Sequence, residues 1–311
     1  MRAITYSRYG GPDVLRLTEL PTPKVAPDSV LVRVRAASVN PVDWKVREGH
    51  LDGILDAVFP VVPGWDVAGV VEQVGLDTPE LQVGDEVFGY VRKDVVGGAV
   101  SGGTFAELVA APVRTLARKP AAWSFEEAAA VPLAGLTAYQ TIRRAGVSSG
   151  QTVLVHAAAG GVGSFAVQIA RALGARVIGT ASERNHDFLR SLGAEPLEYG
   201  DGLADRVRGL APDGVDVVLD YVGGDALDVV PGVLRDGGTV ASVTDPRARD
   251  ELGGHYVWVR PDAADLAELA RLGDAGELRP EVAEVLDLAD AAAAHELSAT
   301  GHVRGKVVVR V

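Results

Sequence analysis

The chain has no cysteine, which rules out disulfides, thiolate zinc centres and cysteine nucleophiles together. Aromatic residues are also scarce, at 5% against a hydrophobic fraction of 47%, so the core is drawn largely from Ala and Val, as suits helices packed on sheets. Positive charge is in deficit: the formal net charge is -12. A nucleic-acid or anionic-membrane partner would need a basic face that this balance disfavours. No apolar run is long enough to span a bilayer, and MRAITYSRYGG at the amino terminus lacks the apolar stretch of a signal peptide. The expectation is a cytoplasmic protein without a nucleic-acid or membrane partner.

What is present follows two patterns. At 311 residues the chain exceeds what one core usually holds, and two domains are expected. Up to about Arg118, short Val-rich runs such as SVLVRVRAASV (Ser29 to Val39) and DVAGVVEQVG (Asp66 to Gly75) alternate with Pro, Gly and Asp, predicting strands joined by turns. After Trp123, helical patterns alternate with short apolar runs, the rhythm of a parallel sheet. Strands are predicted at Thr152–Ala157, Ala175–Thr180, Pro196–Tyr199, Val215–Asp220, Gly238–Val243 and Tyr256–Val259. The tail offers a Leu- and Ala-rich helix, then DLADAAAAHELSATG, then a closing strand KVVVRV (Lys306 to Val311) that needs partners and can return to the first module.

The sharpest motif is VHAAAGGVGSFAVQIARALG, Val155 to Gly174. Glycines between a strand and a helix let backbone approach a pyrophosphate, and the following helix end presents free N–H groups to it. Ala159, Gly160, Gly161, Val162 and Gly163 are the candidate phosphate-binding residues; a tight turn without ligand is the alternative. Some 20 residues on, an acid would hold the ribose 2'-hydroxyl of NAD, but the second strand ends in Thr180-Ala181 and continues Ser182-Glu183-Arg184. Ser182 and Arg184 can bind a 2'-phosphate, which favours NADPH. Glu183 counts against this if it turns inward, and Arg184 can equally begin a solvated helix. Tyr199 either lines the adenosine end or packs.

These features, together with PGWDVAGVV (Pro63 to Val71), GDEVFG (Gly84 to Gly89), AAAVPLAGLTAYQTI (Ala128 to Ile142), DYVGG (Asp220 to Gly224) and GHVRGKVVV (Gly301 to Val309), resemble the medium-chain dehydrogenase/reductase superfamily. The resemblance implies an α/β chain. A GroES-like β-barrel domain would form from residues 1–121 and 260–311, and a Rossmann dinucleotide-binding domain, a doubly wound parallel sheet, from 122–259, with nicotinamide in the cleft. Zinc-bearing members place a Cys near Asn40 and a Gly-His-Glu near Gly64; here Gly64-Trp65-Asp66 stands instead, and Asp66 alone cannot hold a metal that takes about four ligands. The chain is therefore similar to the zinc-independent quinone oxidoreductase branch.

That resemblance implies NADPH-dependent hydride transfer to a quinone or α,β-unsaturated carbonyl, in a homodimer. The alternatives it leaves are an enoyl or alkenal reductase of a biosynthetic pathway and a zeta-crystallin-like NADPH-binding protein with little turnover. Such chemistry needs fixed donors at a carbonyl oxygen. Asn40 stands at the family's pocket asparagine, and Thr137 resembles its nicotinamide-side contact or is an ordinary helix threonine. Lys45, in N-P-V-D-W-K, takes the place of a frequent tyrosine and can return a proton. It can also face solvent beside Arg47 and Glu48, or pair with Asp43 or Asp66. Val222 and Gly223 follow the fourth strand, where the resemblance puts backbone near the cofactor, and Val243, a further cofactor-side candidate, ends the fifth. Lys306 either reaches the cleft or neutralises local carboxylates. His156 reads as structural, and Trp44 and Trp65 as a flat wall or core.

Overall fold

The structure is a computed structural model that describes residues 1–92, 96–97 and 102–311. It divides into two compact units. The first comprises Met1–Leu133, Pro261–Gly276 and Pro280–Val311, and the second Ala134–Arg260 with Glu277–Arg279.

In the first unit the Val-rich runs become a mixed sheet. Its strands lie in the order Val282–Asp287, Lys306–Arg310, Ser29–Val39, Asp66–Val74, Glu86–Tyr90 and Leu116–Arg118, with Leu108–Pro112 also paired to Ser29–Val39. The closing strand runs antiparallel to the first long one, Val307 opposite Val39 and Val308 opposite Ser38. Val307, Val308 and Val309 are buried, each such side chain contributing roughly 1.5–3 kcal/mol. The core beneath includes Val30, Val32, Val34, Val67, Val71 and Val87.

The second unit is a six-stranded parallel sheet in the order Glu195–Leu197, Arg176–Thr180, Thr152–Val155, Val215–Asp220, Leu234–Ser242, His255–Tyr256. Strand order reverses beside Thr152–Val155, where doubly wound sheets bind their ligands. Val215–Asp220 is buried along its whole length, as expected of a parallel strand covered on both faces.

The structure differs from the sequence reading at two strands. Strand Val282–Asp287 was not predicted; it lies at a sheet edge with Ala283, Glu284, Val285 and Asp287 exposed, so no clear apolar alternation marks it. The strand expected over Tyr256–Val259 shrinks to His255–Tyr256. Leu234–Ser242 is paired on both sides, so His255–Tyr256 forms one edge of this sheet and Glu195–Leu197 the other.

Candidate functional site

In the first unit, three neighbouring strands and one helix bring five polar side chains together. Asn40 follows Ser29–Val39 and caps the helix Pro41–Arg47, where Pro41 supplies the fixed φ favoured at a first helical position. The Asp43 carboxylate accepts the Asn40 backbone N–H at 2.7 Å. Asp66, at the start of Asp66–Val74, accepts the Ser38 hydroxyl at 2.7 Å and the Asn40 Nδ2 at 2.8 Å on one oxygen. Its other oxygen accepts the Leu133 N–H at 2.8 Å, near the start of helix Pro132–Ala145. From the closing strand, the Lys306 ammonium donates to Val39 O at 2.9 Å and to Asn40 Oδ1.

All five residues are buried: Ser38, Asn40, Asp43, Asp66 and Lys306. Burial dominates the titration of the three ionisable ones. It pushes Asp43 up to about 7 and Asp66 upward, and pulls Lys306 down, while the opposite charges partly offset it in each case. The hydrogen bonds of Lys306 go to Val39 O and Asn40 Oδ1, and the charges of Asp66 and Asp43 act on it electrostatically.

Lys45 lies on the same helix and is half-buried, its ammonium 5.5 Å from the Trp44 ring centre. It forms no ion pair with Asp43 or Asp66 among the described residues. Arg47, read as a solvent-facing neighbour, is instead buried. Two residues further round the helix, it points to the opposite side. There it donates to Gly10 O at 3.0 Å, meets His295 Nδ1 at 3.0 Å and pairs with Glu48. His295 is held well below its ordinary value, to about 3, by burial and then by the Arg47 charge. The Arg47–His295 contact ties this helix to Ala291–Ala299. Trp65 is buried against Tyr90, ring centres 6.1 Å apart, and belongs to the core.

In the second unit the strand Thr152–Val155 turns into helix Gly161–Ala172, with Gly160 as its cap. Ala157 at the turn adopts φ 52, a left-handed conformation that costs a residue with a Cβ roughly 1–2 kcal/mol. At Gly163 an added Cβ would lie 2.2 Å from Ala157 O, so only glycine lets helix and turn meet. The first helical N–H groups, of Gly161, Val162 and Gly163, have no acceptor within the helix, and the first turn carries no acidic residue. With Ala159 beside them, these donors and the positive helix end fit a dinucleotide diphosphate.

Thr180, where the ribose-reading acid was sought, turns inward. It is buried, and its hydroxyl lies 3.3 Å from both Ala157 N and His156 Nδ1. His156 is buried, and desolvation lowers its pKa despite the Asp220 charge, so it is suited to bracing the turn. Ser182 is partly exposed and accepts from Asn185 Nδ2 at 3.3 Å; Arg184 and Tyr199 are exposed. Val222 and Gly223 have their N–H groups on the buried Asp220 carboxylate at 2.9 Å, so only the remainder of that backbone can face a ligand. Val243 N–H lies 3.3 Å from Asp220 O. Thr137 is buried in helix Pro132–Ala145, its carbonyl accepting from the Thr141 hydroxyl at 2.6 Å.

Sequence reading placed Asn40 and Lys306 in separate motifs, and used Asp66 as an argument against a metal and, with Asp43, as an alternative partner of Lys45. It missed Asp43 and Ser38 as members of one cluster. The available signal was the pairing of the closing strand: once Val307 lies opposite Val39, Lys306 falls beside Asn40.

Among the described residues no group of three or more His, Cys, Asp or Glu is arranged to hold a metal, and no helix is long and apolar enough to cross a membrane. Residues 26–121 match the alcohol dehydrogenase GroES-like domain and residues 192–309 the zinc-binding dehydrogenase family. The chain is 40% identical over 248 residues to 2-methylene-furan-3-one reductase of Solanum lycopersicum, which covers 78% of this chain and 62% of that protein, just under two thirds of its length. It is 37% identical over 315 residues to the chloroplastic NADPH-dependent alkenal/one oxidoreductase of Arabidopsis thaliana, covering 99% and 79% respectively. Among solved structures, the quinone oxidoreductase from Coxiella burnetii superposes with a TM-score of 0.86 at 37% identity, covering 100% of this chain and 99% of that one.

Proposed function

Because this chain belongs to the medium-chain dehydrogenase/reductase superfamily, in its quinone oxidoreductase and alkenal reductase branch, we propose that it is an NADPH-dependent reductase of quinones or α,β-unsaturated carbonyls working without a catalytic metal. Bound NADPH supplies the hydride. Gly161, Val162 and Gly163 N–H groups hold the diphosphate, and Ser182 and Arg184 take the 2'-phosphate. Asn40 donates to the substrate oxygen as charge builds there, and Lys45 or water returns the proton. Thr137 packs on the nicotinamide side.

The observation that carries this reading is Asn40, a buried amide whose donor and acceptor ends are both held by charged neighbours. Fixed dipoles of this kind stabilise an oxyanion without having to reorganise. The names of the similar proteins, an alkenal/one oxidoreductase, a furanone reductase and a quinone oxidoreductase, support this substrate class. Both Asp66 oxygens are engaged, by Ser38 and Asn40 on one side and by Leu133 on the other, and this supports a mechanism in which Asp66 orients Asn40 rather than binding a metal. By family analogy a homodimer is expected; sedimentation as a monomer would reject it.

The test is NADPH oxidation followed with a panel of quinones and enones, with and without chelator. Turnover of at least one member, unchanged by the chelator, is expected. Saturable NADPH binding with no oxidation by any member would replace this reading with a nucleotide-binding role.

A further inference from the structure

Asn40 is flanked by two residues that can each play only one part. A lysine ammonium only donates, so Lys306 fixes which atom of the Asn40 carboxamide is oxygen. An ionised carboxylate only accepts, and Asp66 takes an Asn40 N–H at 2.8 Å while also accepting from Ser38. The register delivers these partners from the strands on either side: Lys306 from the closing strand and Asp66 from the strand beginning there. The Asn40 backbone N–H is held as well, by Asp43 at 2.7 Å. Burial opposes both charges, and their mutual attraction resists it.

We propose that Lys306 and Asp66 are positioning residues that lock the Asn40 carboxamide as a one-way donor. Its oxygen is held by Lys306 and one N–H by Asp66, leaving the second N–H for the oxygen of a bound carbonyl compound. The cation on the amide oxygen draws electron density from the nitrogen, so the remaining N–H becomes a stronger donor through the chain of hydrogen bonds. The site therefore selects ligands that present an acceptor there. This rests on the reading of Asn40 as the substrate-oxygen donor.

Asn40 and Asn185 are the only asparagines in the chain, so asparagine-selective 15N labelling of the full-length, cofactor-free protein yields two side-chain amide pairs. Asn40→Ala assigns them. In the wild type, the Asn40 pair is expected to show one proton shifted well downfield and exchanging with solvent far more slowly than those of Asn185. Two Asn40 protons with the shifts and exchange of a free amide in the wild type would overturn the lock before any change at Lys306. In Lys306→Met, the Asn40 pair should move and kcat should fall about 10- to 100-fold with the KM for NADPH unchanged, short of or matching the ~10²–10³ typical of deleting a donor outright. Asn40→Asp, which puts an acceptor where the donor stood, should lose as much kcat as Asn40→Ala. Wild-type kcat in Asn40→Ala would reject the underlying reading. A large loss there, with wild-type kcat and unmoved amide signals in folded Lys306→Met, would reject the lock alone.

Discussion

In the first unit the polar chemistry rests on buried side chains, Asn40, Asp43, Asp66 and Lys306, gathered from three strands and a helix. In the second it rests on backbone N–H groups at the end of one helix, made reachable by Gly160, Gly161 and Gly163. A side-chain centre depends on long-range register and is sensitive to charge. A backbone centre depends on local conformation and is sensitive to volume. Each can be broken in its own way.

The largest effect is expected at Asp66. Asp66→Ala leaves Lys306 buried without its carboxylate and should destabilise folding by about 3–5 kcal/mol in urea unfolding. In the second unit, Gly163→Ala places a Cβ against Ala157 O and should cost about 1–3 kcal/mol; isothermal titration should also show weakened NADPH binding, whereas Asp66→Ala should not act through the diphosphate. Arg184→Ala is expected to weaken NADPH by about 1.5–3 kcal/mol, the range for a hydrogen bond to a charged group, and barely affect NADH. Equal losses for the two cofactors would remove Arg184 from the 2'-phosphate.

A smaller effect concerns pH. Burial raises the Asp43 carboxyl from 3.8 to about 7, so between those values the native state binds more protons than the unfolded chain. The stability linked to this group is complete below about pH 4 and is lost as pH rises to about 7. Asp43→Asn should flatten that part of the pH profile of unfolding free energy, and an unchanged slope would show that Asp43 ionises normally. Smallest is Lys45→Met. Its ammonium over Trp44 contributes about 0.5–1 kcal/mol to stability at most. If Lys45 returns the proton, turnover falls in the variant with NADPH affinity intact, and full turnover assigns that step to water.

The glycine loop was legible because everything that defines it lies within one strand, one turn and one helix. The parallel sheet was legible for the same reason, from the apolar runs at Thr152–Val155 and Val215–Asp220. The fate of Thr180 was not: a strand-end hydroxyl can face a ribose or a neighbouring turn, and only the parallel pairing of Thr152–Val155 with Arg176–Thr180 turns it toward Ala157. Likewise Lys306 lies 266 residues from Asn40, and no local pattern relates them. Arg47 defeated the usual expectation that arginines face water, because Gly10 O and His295 supply the partners its burial requires.

The most direct test of the proposed chemistry uses NADPH deuterated at nicotinamide C4, in single turnover with an enone that the panel shows to be oxidising. Appearance of one deuterium on the carbon β to the carbonyl is expected, slowed in Asn40→Ala. Oxidation of NADPH without deuterium at that carbon, or none at all under saturating cofactor, would contradict direct hydride transfer at this site.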